Sequence, residues 1–258
     1  MKTTDKISAF HNAVVKNIKT NFGERPIKKL VLKEPIKSKL TDYGSFKLTE
    51  GNSPAEKMMK AVRTRNATAT ESDGKTYFRS PDKGIFFIVD LGSEQAGYLD
   101  FIVETREETT AWFAYGEHLN DGFVRGAIWQ REFCFPFTLK KGRQDFTGLF
   151  RRLGARYIEV FAFTNEITVE RVTVRPAIYH IEKKSFAAPN EFMQRLYDVS
   201  VHTLECCMHE HYEDCPWREQ SFYALDSRLQ MLAGYYAFKD YSFARAGLEL
   251  ISRDPRSD

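Results

Sequence analysis

The chain has 258 residues, with 38 Lys and Arg against 35 Asp and Glu, and the charges are interspersed with no basic block. That balance excludes the concentrated positive surface on which nucleic-acid binding depends. No apolar run reaches the roughly 18 residues of a membrane-spanning helix, and the start "MKTTDKISAFHNAVVKNIKTNF" has neither the uninterrupted apolar stretch nor the small-residue cleavage site of a secretory signal. The expectation is a soluble, cytoplasmic chain of one large or two smaller domains, without membrane or nucleic-acid partners.

In chain order, residues 1–75 read as a mixed, partly β segment: "KKLVLKEPI" and "GSFKLTE" suit strands, and "SPAEKMMKAVRTR" suits a short helix. From residue 76 to 183 the texture is β. "GIFFIVDLG", "GYLDFIVET", "TAWFAYGE", "REFCFPFTL", "ARYIEVFAF" and "ITVERVTVRPAIYHI" follow one another, separated by polar or glycine-containing turns, which is the pattern of an antiparallel sandwich. In "ARYIEVFAF", Tyr157, Glu159 and Phe161 alternate with Ile158, Val160 and Ala162, and the charge predicts a wetter side for that strand. Aromatics make up 14% of the chain, which suits both a thick β core and a sugar-stacking surface.

Residues 184–258 switch to a helical period. Phe192, Leu196, Val199, Thr203 and Cys207 fall on one predicted helix face, with Asn190 as its N-cap. Phe222, Leu225, Leu229, Leu232 and Tyr236 predict a second helix, and "YSFARAGLELISR" begins a third. A β domain followed by a helical one is therefore expected.

The junction "YEDCPWREQSFYALDSR" (212–228) concentrates carboxylates among aromatics. If a helix has begun by Glu219, that residue and Asp226 share a face two turns apart, with Phe222 and Tyr223 between them. Aromatic faces beside carboxylates suit a polyol, and a carboxyl desolvated among aromatics suits a general acid. Acidic residues also gather at helix starts simply because the helix dipole favours them, and composition leaves both readings open.

"EDCPWREQ", followed by Tyr223 and Asp226, resembles the acidic signature of the family 78 glycoside hydrolases, the α-L-rhamnosidases. "VDLGSEQAGYLDF", "YGEHLNDG" and "FRRLGARYIEVF" are similar to the sandwich that precedes the barrel in that family, so the resemblance covers roughly residues 84–240. It implies an antiparallel β-sandwich followed by the beginning of an (α/α)6 six-hairpin barrel, and an inverting hydrolase acting on a rhamnoside. Position by position, it implies Glu219 as general acid, with Asp214, Arg218, Tyr223 and Asp226 binding the sugar. Tyr223 stands where the family commonly has Trp, and Glu219-Gln220 where several members have Asp-Glu. In relatives the general base comes from a later barrel helix that this sequence does not reach, so the resemblance implies a chain weak or inactive alone.

Other signals are weaker. Cys206, Cys207, His209, His211 and Cys215 lie close together, but the cysteines lack the paired spacing of zinc ligands and read as buried, reduced thiols, as does Cys134. His118 and Asp121 in "YGEHLNDGF" read as a turn rather than a catalytic pair. No phosphate-binding glycine loop or nucleophile elbow is present, and no cofactor is expected. The alternative is a non-catalytic carbohydrate-binding sandwich with a helical cap, stacking sugar on Trp112, Trp129 or Tyr157.

Overall fold

A computed structural model describes residues 27–252. The signal-peptide reading, the first part of the predicted mixed segment and the last six residues of the predicted helical segment fall outside that range. The described chain begins with β1 (Val31–Leu32), β2 (Lys39–Lys47), α1 (Pro54–Lys60), β3 (Val62–Thr64), β4 (Thr68–Ser72) and β5 (Lys75–Arg79). The long β6 (Ile85–Thr105) leads into β7 (Thr109–Gly116), then two small hairpins, β8 (Leu119–Asn120) with β9 (Phe123–Val124) and β10 (Ala127–Ile128) with β11 (Arg131–Glu132). After β12 (Cys134–Leu139), β13 (Gly142–Thr147), β14 (Leu153–Ala162) and β15 (Glu166–Ile178) come the helices α2 (Glu191–Cys206), α3 (Ala224–Ala237) and α4 (Ser242–Ser252).

The two strands predicted from "GIFFIVDLG" and "GYLDFIVET" are one 21-residue strand, β6. Its first half pairs with β14 and β2, and its second half with β15 and β13, so it passes from one layer of the sandwich to the other. The bend falls at Gly92, whose φ of +82° needs a residue without Cβ, and whose N–H donates to Asp90 Oδ1 at 2.8 Å. All named strand pairs are antiparallel. Between the layers, Ile85, Phe87, Val89, Phe101, Phe113 and Val160 form the main core. Phe78 stacks on Phe87 and Phe101 on Phe113, with centroids 4.9 and 4.8 Å apart.

The wetter side predicted for "ARYIEVFAF" is not found. Phe161 joins Phe46, Met58, Phe86 and Val124 in a second apolar cluster on that face, which α1 and the β8–β9 hairpin cover. Glu159 is completely buried there, accepting from Arg63 Nε at 2.8 Å and from the Val124 N–H at 3.2 Å. Burial pushes its carboxyl above the usual range, with Arg63 opposing that shift. A charge in an alternating strand marks a wet face only when nothing brings it a counter-ion; here Arg63 arrives from a distant strand. The β8–β9 turn is the predicted one, with Asp121 and Gly122 both at positive φ.

Ser53 caps α1 through its Oγ and Asn190 caps α2 through its Oδ1, the latter as predicted. The buried side of α2 differs from the predicted stripe. Val201, Leu204 and Cys206 face inward with Tyr179, Ile181, Tyr212 and Phe243, whereas Phe192, Leu196 and Val199 are exposed at 73%, 50% and 54%. The same holds on α3, where Leu225, Leu229, Leu232 and Tyr236 are exposed. These helices bury one apolar side in the cluster around Tyr179, Tyr212 and Phe243 and present a second apolar stripe outward. Among the described residues no helix is long and apolar enough to cross a membrane.

Candidate active site

Between α2 and α3 the chain makes a closed turn around Cys215. Asp214 accepts the Ser221 N–H on Oδ1 at 2.8 Å, and its own N–H donates to Ser221 O at 2.9 Å, so the two ends of the segment are stapled. The Cys215 thiol donates to Asp214 Oδ2 at 3.2 Å and accepts the Glu219 N–H at 3.3 Å. One sulfur thus links the backbone of Glu219 to the carboxylate of Asp214. Burial pushes that thiol up, which keeps it a protonated donor.

The structure brings Asp214, Arg218 and Glu219 together, and Arg218 Nη2 lies 3.5 Å from Glu219 Oε1. The helical spacing expected for Glu219 and Asp226 is not found, because α3 begins only at Ala224. Residues 216–219 form a turn, Gln220 has a left-handed φ of +55°, and the chain runs on without helix to Tyr223, which caps α3 without a side-chain bond. Once Asp214 binds the Ser221 amide, that N–H is not free to continue a helix from Pro216. Asp226 therefore sits in the first turn of α3, where the helix dipole favours a carboxylate, and Tyr223 is partly exposed at its entrance.

The turn is anchored on the sandwich by residues that motif reading passed over. Arg152, buried just before β14, donates to Glu213 Oε2 at 2.7 Å, to Cys206 O at 2.8 Å and to Ala177 O at 3.2 Å. Its carbonyl accepts from Gln220 Nε2 at 2.9 Å. A single arginine therefore grips both ends of the 213–220 segment. Glu213, equally buried, also pairs with His209 Nδ1 at 2.9 Å. Trp217 inserts into the main core against Phe133 and His118, with centroids 4.9 and 5.5 Å away. Pro216 comes so close to Gly154 that a Cβ there would lie 2.5 Å from its carbonyl, so only glycine fits. No sequence signal connects Arg152 to Glu213, which lie 61 positions apart.

From the other side the β10–β11 hairpin leans over the turn. Arg131 Nη1 donates to Arg218 O at 2.8 Å and lies 3.9 Å from Glu219 Oε1, so two guanidinium groups flank this carboxylate. Trp129, at the hairpin tip, has φ of +52° and is 86% exposed, and the Arg218 guanidinium lies 6.0 Å from its ring centre. A bulky residue held there costs on the order of 1–3 kcal/mol. Trp112 and Tyr157, the other sandwich aromatics considered for sugar stacking, pack instead on the second apolar cluster.

Two further carboxylates line the junction. Burial pushes Glu117 up, opposed by the nearby His118 and Arg218. Glu94 is pushed to about 8 by burial and by Glu117, and its Oε1 is buried without a hydrogen-bond partner. A folded pKa raised in this way means the unfolded chain releases its proton first, so this stability is full below the ordinary glutamate range and is lost as pH rises towards about 8. Glu94→Gln is expected to remove that decline and to exceed the parent in stability by on the order of 3 kcal/mol at pH 8.5, with little difference at pH 4. Denaturant midpoints at the two pH values check this; equal differences at both would refute it. Cys206 and Cys207 are buried at the end of α2, and among the described residues no group of three or more His, Cys, Asp or Glu side chains is placed to hold a metal.

Residues 82–178 match the sequence model of the bacterial alpha-L-rhamnosidase concanavalin-like domain. A search of curated proteins returns no match. Among solved structures, the GH78 family rhamnosidase of Bacillus sp. GL1 superposes with a TM-score of 0.60 at 22% identity, over 74% of this chain and 21% of that one. A rhamnosidase from Klebsiella oxytoca with rhamnose bound gives 0.58 at 20% identity, over 88% and 44%. The Streptomyces avermitilis alpha-L-rhamnosidase complexed with L-rhamnose gives 0.57 at 18%, over 87% and 19%. The chain thus spans between about a fifth and less than half of the length of these structures. Over residues 82–178 the β-sandwich thus matches the concanavalin-like domain of the bacterial alpha-L-rhamnosidases, and the chain shares its fold with part of the GH78 enzymes.

Proposed function

We propose that this chain provides the sandwich and the opening helices of an (α/α)6 barrel for an inverting, α-L-rhamnosidase-like glycoside hydrolase, with Glu219 protonating the leaving glycosidic oxygen. The observation that supports this most is the closure around Cys215, which joins Asp214 and Glu219 in one turn beside Arg218. Asp214, Tyr223 and Asp226 are the proposed partners of the sugar hydroxyls, with Arg218 and Arg131 orienting the Glu219 carboxyl.

Inversion requires a second carboxylate roughly 6.5–9.5 Å from the acid, across a space for the attacking water. No residue is assigned that role here, and the chain alone is expected to bind L-rhamnose with little turnover. Titration with L-rhamnose followed by NMR chemical shifts tests the reading, with Asp214→Asn and Asp226→Asn each expected to weaken binding about tenfold. Undiminished affinity in both variants would remove the sugar site from this turn. Brisk hydrolysis of an aryl rhamnoside by the chain, abolished in Glu219→Gln, would place a complete acid–base pair within it.

A further inference from the structure

We propose that Trp129 is the platform for the leaving group of the glycoside: a ring with a flat apolar face, either an aryl group or the C–H face of a second sugar. This rests on the reading of Glu219 as the proton donor. The group protonated by an acid lies on that acid's side of the scissile bond, so whatever sits beside Glu219 and beyond the rhamnose faces the leaving group. In this molecule that neighbour is the tip of the β10–β11 hairpin. Arg131 at its base holds the Arg218 carbonyl at 2.8 Å and reaches the Glu219 carboxylate at 3.9 Å. Arg218 bridges the remaining distance, 3.5 Å from Glu219 Oε1 on one side and 6.0 Å from the indole centre on the other.

The indole is built to meet something. It is 86% exposed, whereas Trp112 is packed among aromatics and Trp217 is buried. It also occupies a backbone position, φ +52°, at the first tip residue of a two-residue hairpin, where glycine is the favoured residue. Apart from the Arg218 contact, folding therefore gains little from tryptophan here, either by packing or by conformation. A flat, exposed indole with a guanidinium over one face leaves the other face to offer dispersion and π contact to a ring and little to a methyl group.

The test compares dissociation constants of the full chain for methyl α-L-rhamnoside, phenyl α-L-rhamnoside and a rhamnosyl-glucose disaccharide, measured by calorimetry. The chain is expected to bind at least one ring-bearing glycoside roughly three- to tenfold more tightly than the methyl glycoside, and Trp129→Ala to abolish that preference while leaving the methyl glycoside unchanged. A gain confined to the phenyl compound identifies an aryl leaving group, and a gain confined to the disaccharide identifies a sugar. Trp129→Gly, which relieves the left-handed strain, is expected to lose the same preference without a fall in melting temperature, separating the ring's role from folding. An unaltered preference in both variants, or no preference in the parent, overturns the proposal. A preference that depends on Trp129 while Asp214→Asn and Asp226→Asn leave the methyl glycoside unaffected would instead overturn the reading of the acidic turn and retain the platform.

Discussion

Replacing Arg152 by methionine is expected to destabilise the protein by about 3–5 kcal/mol, because it strands the buried Glu213 carboxylate without its guanidinium. Arg152 and Glu213 side chains are each 2% exposed, and the same arginine supplies the donors to the Cys206 and Ala177 carbonyls. Methionine matches the length of the stem but supplies none of these hydrogen bonds. Arg152→Lys retains the charge but cannot fork between Glu213 and two carbonyls, so an intermediate loss is expected. Denaturant midpoints at unchanged slope measure the effect, and a loss below about 1 kcal/mol would refute the clamp. A local readout distinguishes the clamp from general destabilisation. With the 213–220 turn loosened, Cys215 is expected to react faster with an alkylating agent under native conditions, while Cys134, partly buried against the second apolar cluster, keeps its parent rate.

Arg63→Met is expected to cost a similar amount, about 3–5 kcal/mol, at the opposite face of the sandwich. The Arg63 and Glu159 side chains are 2% and 0% exposed, and the guanidinium also closes the carboxyl end of α1 by donating to the Met58 and Ala61 carbonyls. Its face lies 3.9 Å from the Phe123 ring centre, so packing is lost together with charge. Replacing both partners, Arg63→Met with Glu159→Leu, is expected to restore much of the loss, since the double variant leaves no uncompensated buried charge. Equilibrium unfolding of the two single variants and the double variant forms a thermodynamic cycle; simple additivity would show that the two side chains do not act as a pair. The consequence reaches the candidate site, because α1 and the following hairpins form the layer from which Trp129 and Arg131 project: a Cβ on Gly126, just before β10, would touch Ala55 of α1 at 3.6 Å.

Much of the architecture is written in local pattern. The alternating and apolar runs from Ile85 to Ile178 are strands, Asn190 caps the helix it was expected to cap, and the Asp121-Gly122 turn follows from its residue types. The acidic motif too is legible, because its residues are near neighbours and a short turn suffices to gather Asp214, Arg218 and Glu219. The misreadings share one cause. Helical periodicity reports that a face is apolar, not which partner covers it: the stripe through Phe192, Leu196 and Val199 is exposed, and the interior cluster is met by Val201 and Leu204 instead. In the same way, strand alternation points the Glu159 carboxylate to water, whereas the arginine that buries it lies 96 positions away.

By itself, then, the sequence determined the strand-to-helix order, the turn residues and the membership of the acidic cluster, all of which depend on neighbours within a few residues. Only the tertiary structure decided that Glu159 is buried, that Arg152 holds both ends of the 213–220 turn, that Gln220 rather than a helix continues from Pro216, and that Trp129 stands beside Arg218. All but the local Asp214–Ser221 staple depend on contacts between segments tens of residues apart, whose free energy depends on burial and counter-charge supplied by the fold, which local propensity does not encode.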